Sequence, residues 1–255
     1  MTKRVNFDLT GKVMIVTGAS KGIGKAIALA AAEWGADLAL GNRNVEEAQP
    51  VVEECRAMGR RVEAWPLDLA SVASINNFVD NVAAAFGRID VLVNNAGVNT
   101  PKPALDYTED EFDFIVDVNF KGAYFIATAV ARKMIEQNIE GAIITISSQA
   151  GVVGGPLRTP YASAKGAVGQ FTRSLAAEWA PNKITVNAVA PTFTRTPMLE
   201  AAVKNPAFAK NLEKVPMGRL AEPEEIAGAV IYLASPAARM TTGQIICVDG
   251  GYTAV

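Results

Sequence analysis

The residues best suited to chemistry in this chain are a serine, a tyrosine and a lysine in the stretch SSQAGVVGGPLRTPYASAK, where Ser148 stands thirteen residues before Tyr161 and Lys165 four residues after it. A hydroxyl, a phenol and an ammonium are together enough to hold a carbonyl oxygen and move a proton. The 255 residues include 0 histidines, so a Ser-His-Asp hydrolase, a His-Cys peptidase and a histidine-ligated zinc site are all excluded. On a helix, positions four apart share a face, so Tyr161 and Lys165 point the same way. A YxxxK pair arises by chance in roughly one chain in four of this composition, so its weight depends on the elements that position it.

Those elements alternate. Apolar, β-rich runs at 13–17, 37–41, 62–66, 89–93, 142–147, 184–189 and 244–248 read as strands, and helical patterns fall between them at 22–34, 45–58, 71–86, 108–137, 159–179 and 222–234. Such alternation predicts an α/β fold: a doubly wound, Rossmann-like parallel sheet of about seven strands with helices on both faces. The hydrophobic share of 50% suits strands buried on both sides. One domain over 1–255 is expected. The alternation breaks at 191–218, where Pro197, Pro206 and Pro216 interrupt short helical pieces around Leu199 and Phe208. The apolar residues Phe193, Met198, Leu199 and Phe208 suit a lid over a pocket.

The stretch KVMIVTGASKGIGKAIALAAAEWG runs strand, glycine-rich turn, helix, with Gly18, Ser20, Lys21, Gly22, Ile23 and Gly24 in the turn. Glycines there let a backbone wrap a pyrophosphate at the start of a helix, whose N–H groups and dipole favour an anion. A P-loop is disfavoured, because Ala19 and Ala26 stand where it needs a glycine and a hydroxyl. Asp68, followed by Leu69, closes the third strand, and NNAG (Asn94, Asn95, Ala96, Gly97) closes the fourth, where an adenosine group would cross the crevice. The second strand ends in LALGNRN. Asn42 and Arg43, with Lys21 nearby, give two cations and no carboxylate, a pattern that favours the 2′-phosphate of NADP over NAD.

TGASKGIG, Asp68, NNAG, Asn119, Ser148 and YASAK, in this order and spacing, resemble the short-chain dehydrogenase/reductase family in its short single-domain branch. The resemblance covers essentially the whole chain and extends to NAVAP at 187–191 and VDGG at 248–251. It implies that Tyr161 is the acid/base, that Lys165 lowers its pKa and binds the nicotinamide ribose, that Ser148 holds the substrate oxygen and that Asn119 supports a proton relay. The family spacing also selects Ser148 over the adjacent Ser147. A free phenol near pKa ~10 must drop about three units to act as a base near pH 7, worth roughly 4 kcal/mol. A fixed ammonium and an oxidised nicotinamide can supply that together. The family's usual PGxIxT reads PTFTRT here, so Pro191, Thr194 and Thr196 are expected beside the carboxamide, with the substrate pocket altered.

The implied reaction is hydride transfer between NADP(H) and a small carbonyl or secondary alcohol; Gln149, Gly155, Phe193, Met198 and Leu199 are the expected substrate contacts. Gln149, Asn99, Arg158 and Arg195 could meet hydroxyl or carboxylate groups, although solvent-facing arginines are the simpler expectation. Glu136, Gln137, Asn138, Ile139 and Glu140, together with Asn182, offer no arginine cluster for an acidic carrier protein. Local wording is similar to sugar and polyol dehydrogenases, which leaves an NAD-dependent sugar or polyol dehydrogenase as one alternative and a non-catalytic dinucleotide-sensing or scaffold protein as another. An epimerase or dehydratase would carry GxxGxxG and a larger carboxyl-terminal domain. Net charge is -2 without a basic stripe, which argues against nucleic acid. No signal-like start or spanning apolar run is evident, so a cytoplasmic protein without membrane contact is expected. No metal-ligand spacing is present, and Cys55 and Cys247 are far apart. The family implies a homotetramer built on the helices from Thr108 and Thr159.

Overall fold

Strands rich in valine, isoleucine and alanine on both faces have to be covered on both sides, and helices supply the cover. The computed structural model describes residues 4–204 and 210–255; Pro206 and the helical piece expected around Phe208 lie outside the described residues. Seven strands, β1 (Val13–Thr17), β2 (Asp37–Asn42), β3 (Val62–Pro66), β4 (Val91–Asn94), β5 (Ala142–Ile146), β6 (Thr185–Pro191) and β7 (Ile245–Val248), form one sheet. Its order is β3-β2-β1-β4-β5-β6-β7, every neighbouring pair parallel, as the alternation predicts. The helices are α1 (Gly22–Glu33), α2 (Gln49–Ala57), α3 (Val72–Phe86), α4 (Glu109–Val116), α5 (Ala123–Glu136), α6 (Thr159–Trp179), α7 (Pro197–Ala202) and α8 (Pro223–Ala234).

Two apolar layers sandwich the sheet. Ile27, Ala31, Val51, Ile226 and Val230 pack on one face, and Phe78, Val82, Ile126, Val130, Val168 and Leu175 on the other. Chain order reverses between β1 and β4, which opens a crevice at their carboxyl ends. Cys55 is buried within the first layer and Cys247 is exposed.

The expected helix at 108–137 is divided. Thr108 and Glu111 form a capping box that starts α4, but Asp117–Gly122 widens into a π turn before α5 begins. Asn119 sits in that turn. Its Nδ2 donates to the Ile115 carbonyl and to the Val98 carbonyl, each at 2.8 Å, so the side chain satisfies a carbonyl at the widened turn. Such turns concentrate at functional sites. The run at 109–136 is, by length and composition, long and apolar enough to cross a bilayer, contrary to the sequence reading. Half of its most apolar window is buried inside the molecule, as in a core helix.

The 191–218 segment carries α7 and a short helical turn at Lys210–Lys214. Phe193, Leu199, Val215 and Tyr252 form a third, small apolar cluster. Hydrogen bonds from the Arg195 N–H to the Ala221 carbonyl and from the Ala221 N–H to the Phe193 carbonyl, at 2.9 and 3.0 Å, tie its first residues to the start of α8.

At the amino ends of β1 and β4, Asp90 is 2% exposed. It accepts from the Val13 N–H at 3.0 Å, from Lys12 Nζ at 3.0 Å and from Arg88 through two bonds of 2.7 Å. Burial pushes this carboxyl up, but the bonds from Arg88, Val13 and Lys12 outweigh burial and hold it below the ordinary carboxylate range. Because the folded value lies below the unfolded one, the stabilisation is present above the unfolded pKa of ~3.9 and is lost as pH falls through the folded value. Asp90→Ala should therefore cost about 2–3 kcal/mol of unfolding free energy near neutrality, with the deficit shrinking on acidification. Urea unfolding of both proteins across acid pH measures this.

Candidate active site

The site is built where α6 meets the end of β5. Pro160 lies in the first turn of α6, where its missing N–H and fixed φ cost nothing, and the helical period places Tyr161 and Lys165 about one turn apart on one face. Lys165 is 4% exposed. Its Nζ donates to the Ile146 carbonyl at 2.8 Å and lies 5.7 Å from the centre of the Tyr161 ring. The two serines part as the strand alternation requires. Ser147 Oγ donates to the Lys165 carbonyl at 3.0 Å, whereas Ser148 Oγ donates to Gln149 Oε1 at 2.7 Å and accepts from the Ala150 N–H at 3.1 Å.

In the protein alone the two titrating groups are pushed away from ionisation. Burial raises the Tyr161 phenol; the hydrogen bond with Ser148 and the charge of Arg158 act in the opposite direction without reversing it. Burial also lowers Lys165, to about 8. The three-unit drop that base catalysis needs is therefore absent from the polypeptide by itself. At neutral pH Lys165 still carries its proton, and its charge is available.

A cavity of about 440 Å³ runs along the crevice, within the range of ligand sites. It takes in each expected dinucleotide residue: Gly18, Ser20, Lys21, Gly22, Ile23 and Gly24 in the turn, Asn42 and Arg43 after β2, Asp68 and Leu69 after β3, Asn95, Ala96 and Gly97 after β4, then Pro191, Thr194 and Thr196. Ser148, Tyr161, Lys165, Gln149, Phe193, Met198 and Leu199 line it as well. Asn119 and Gly155 do not. Asn119 is 1% exposed and bonds to backbone behind the wall, and its Oδ1 would lie 2.7 Å from a Cβ placed on Gly97. Gly155 flanks the Arg158 guanidinium instead.

The dinucleotide end fits its ligand. Asn95 Nδ2 donates to the Thr17 and Gly18 carbonyls at 2.9 and 3.1 Å, and Thr17 Oγ1 accepts from the Asn95 and Ala96 N–H groups at 3.0 Å, which joins the glycine turn to NNAG. Gly18 has φ +66, and a Cβ on Gly24 would strike the Gly18 carbonyl, so both positions need glycine. Asn42 is buried with no partner on its Oδ1, an acceptor suited to a ribose hydroxyl. The Asp68 carboxylate accepts from the Ala70 N–H at 3.0 Å. Thr196 packs over Gly22 and caps α7 through the Leu199 N–H at 3.3 Å.

Two sequence readings change. Lys21 lies 3.6 Å from Glu47, and Glu47 also lines the cavity, so a carboxylate is present near the expected 2′-phosphate, and Arg43 is the cation there that pairs with no carboxylate among the described residues. Arg158, expected to face solvent, is 4% exposed and lines the cavity with its guanidinium 5.6 Å from the Phe193 ring centre. Its position three residues before Tyr161, at the cap of the helix that carries it, was the available signal. Arg195 does face solvent and pairs with Glu222 at 3.0 Å.

A family model described as Enoyl-(Acyl carrier protein) reductase matches residues 18–253. The chain is 39% identical over 245 residues to a 3-oxoacyl-(acyl-carrier-protein) reductase of Thermotoga maritima, covering 95% of this chain and 98% of that protein. It is 36% identical over 250 residues to 2-dehydro-3-deoxy-D-gluconate 5-dehydrogenase of Dickeya dadantii, covering 97% and 98%. Among solved structures, a short-chain type dehydrogenase/reductase from Mycobacterium marinum matches with a TM-score of 0.94 at 37% identity over 98% of both chains. The chain belongs to the short-chain dehydrogenase/reductase family. It is an NAD(P)-dependent oxidoreductase acting on alcohol or carbonyl substrates.

Buried Lys165 makes stability depend on pH in a defined direction. Below about 8 both folded and unfolded chains hold its proton; from there to the unfolded value of ~10.4 only the unfolded chain does, so stability rises with pH. Lys165→Met should remove this rise. The stability difference between variant and parent should move in the parent's favour by about 2–3 kcal/mol between pH 7 and pH 10; denaturant unfolding at stepped pH checks it, and parallel profiles would contradict the assignment.

Proposed function

We propose that the protein interconverts a small, diffusible carbonyl compound and its secondary alcohol with NADP(H), using Tyr161 as the general acid/base. The observation that carries this reading is the meeting of Ser148, Tyr161 and Lys165 in one cavity with the glycine turn and NNAG. When bound, NADP(H) supplies or accepts the hydride. Ser148 holds the substrate oxygen. Tyr161 gives a proton to that oxygen in reduction and takes it back in oxidation. Lys165 holds the nicotinamide ribose and its charge favours the phenolate. Asn119 supports the proton relay by fixing the backbone around Val98 and Ile115.

Asn42 in place of an acidic residue, and the exposed Arg43 beside it, support NADP(H) as the preferred cofactor. The Lys21 and Glu47 pair favours a second reading, an NAD-dependent sugar or polyol dehydrogenase. The relative acting on 2-dehydro-3-deoxy-D-gluconate agrees with the substrate part of that reading. We read 1–255 as one domain with 191–218 as its lid. A homotetramer is supported by Phe112, Tyr124 and Phe125, exposed by 46%, 37% and 38% on α4 and α5. The proposed setting is the cytoplasm.

Tyr161→Phe should lower turnover by about 10²–10⁴-fold while NADPH still binds, read by cofactor fluorescence. Near-normal activity would overturn the mechanism. Arg43→Ala should weaken NADPH by about 10–100-fold, the loss of a charge-assisted phosphate contact, and leave NADH almost unchanged; equal loss of both would overturn the cofactor assignment.

A further inference from the structure

The cavity wall around Tyr161 is built for an anion that the hydride chemistry itself does not require. Arg158 is 4% exposed in a chain whose other arginines could stay in water. The residue that turns it inward, Leu157, has φ +66, a left-handed conformation that a branched side chain adopts at a cost and that persists chiefly where function holds it. The turn is fixed from outside by the Lys102 N–H, which donates to the Leu157 carbonyl at 2.9 Å, and from inside by Leu157 packing against the Phe193 cluster. The guanidinium then stands over the Phe193 ring, beside Gly155, and close enough to Tyr161 to bias its titration.

A second, independent observation lies on the turn after β5. Gln149 is 2% exposed. Its Oε1 accepts from Ser148 Oγ at 2.7 Å and from the Ala150 N–H at 2.9 Å, which aims its NH₂ the other way, buried and without an acceptor. Thr192, 8% exposed, also has a buried hydroxyl without a partner. Buried donors left open are rare in native proteins and call for a ligand or water. The cavity's carboxylates among the described residues, Glu47 and Asp68, belong to its dinucleotide end. At the Tyr161 end the charged lining groups among the described residues are the cations Arg158 and Lys165.

We infer that the substrate is a hydroxy or keto acid whose carboxylate is gripped by Arg158 and receives a hydrogen bond from the Gln149 amide, a few bonds from the carbon that reacts at Tyr161. A carboxylate only accepts hydrogen bonds, which matches a wall of donors, and a planar guanidinium meets it through two parallel bonds. Arg158 is thus a specificity-determining residue for the oxidoreductase proposed above, and the inference rests on that reading.

The test pairs D-gluconate with its uncharged counterpart D-glucitol, and adds an uncharged secondary alcohol, in NADP⁺-dependent oxidation and in calorimetric binding to the NADP⁺-loaded protein. The acid should bind and react better than the neutral polyol. Arg158→Gln should weaken acid binding and raise the acid's KM by about 10–100-fold relative to that of the uncharged alcohol, the loss of a charge-assisted pair, whereas any change in kcat through the nearby Tyr161 phenol falls on both substrates alike; Arg158→Lys should recover part of the loss. Equal use of acid and polyol by the parent protein, or parallel loss of acid and uncharged alcohol in Arg158→Gln, would overturn the inference. If nothing is oxidised, the NADP(H)-dependent reaction proposed above fails, and calorimetry still decides this inference: acid binding lost in Arg158→Gln upholds it, and no acid binding to the parent overturns it.

Discussion

The site depends on one contact, the seating of α6 against the end of β5. It is made twice over in opposite directions: the Lys165 ammonium donates to the carbonyl of Ile146, and the Ser147 hydroxyl donates to the carbonyl of Lys165. Gly151 lets the helix come so close that a Cβ there would lie 2.6 Å from the Lys165 carbonyl. A strand end and a helix side are thereby fixed relative to each other, and Ser148 and Tyr161 are carried on the two fixed parts. Everything else in the crevice is arranged around that seating, with the glycine turn and NNAG closing the far side through Thr17 and Asn95.

The same seating creates an electrostatic tension. Burial holds the Tyr161 phenol protonated and works against the Lys165 charge, so the free protein has no strong base. On the mechanism proposed above, that arrangement makes proton transfer conditional: the phenol would become acidic when a further positive charge arrives in the cavity, which an oxidised nicotinamide would bring, and the base would form together with the hydride acceptor. A chain without histidine has few other ways to place a base at neutral pH.

Much of this was legible in the residues because it is local. The strand and helix periods, the glycine turn and the i, i+4 placement of Tyr161 and Lys165 are set by short-range geometry, and the bounds of α6, β1 and β3 need nothing more than that. What escaped depends on contacts between distant segments or on rare backbone. The π turn at Asp117–Gly122 requires Asn119 to bond with Val98, far along the chain. Arg158 turns inward because Leu157 adopts a conformation that sequence patterns assign to glycine. Lys21 meets Glu47 only once β2 brings the following turn back to the glycine loop.

The most direct measurement of the central claim is a titration of the Tyr161 phenol by phenolate absorbance, comparing the protein with Tyr161→Phe, without and with saturating NADP⁺. The account predicts a phenol that ionises above the ordinary tyrosine range in the free protein and about three units below it when NADP⁺ is bound. A phenol that titrates at the same pH in both states would contradict it.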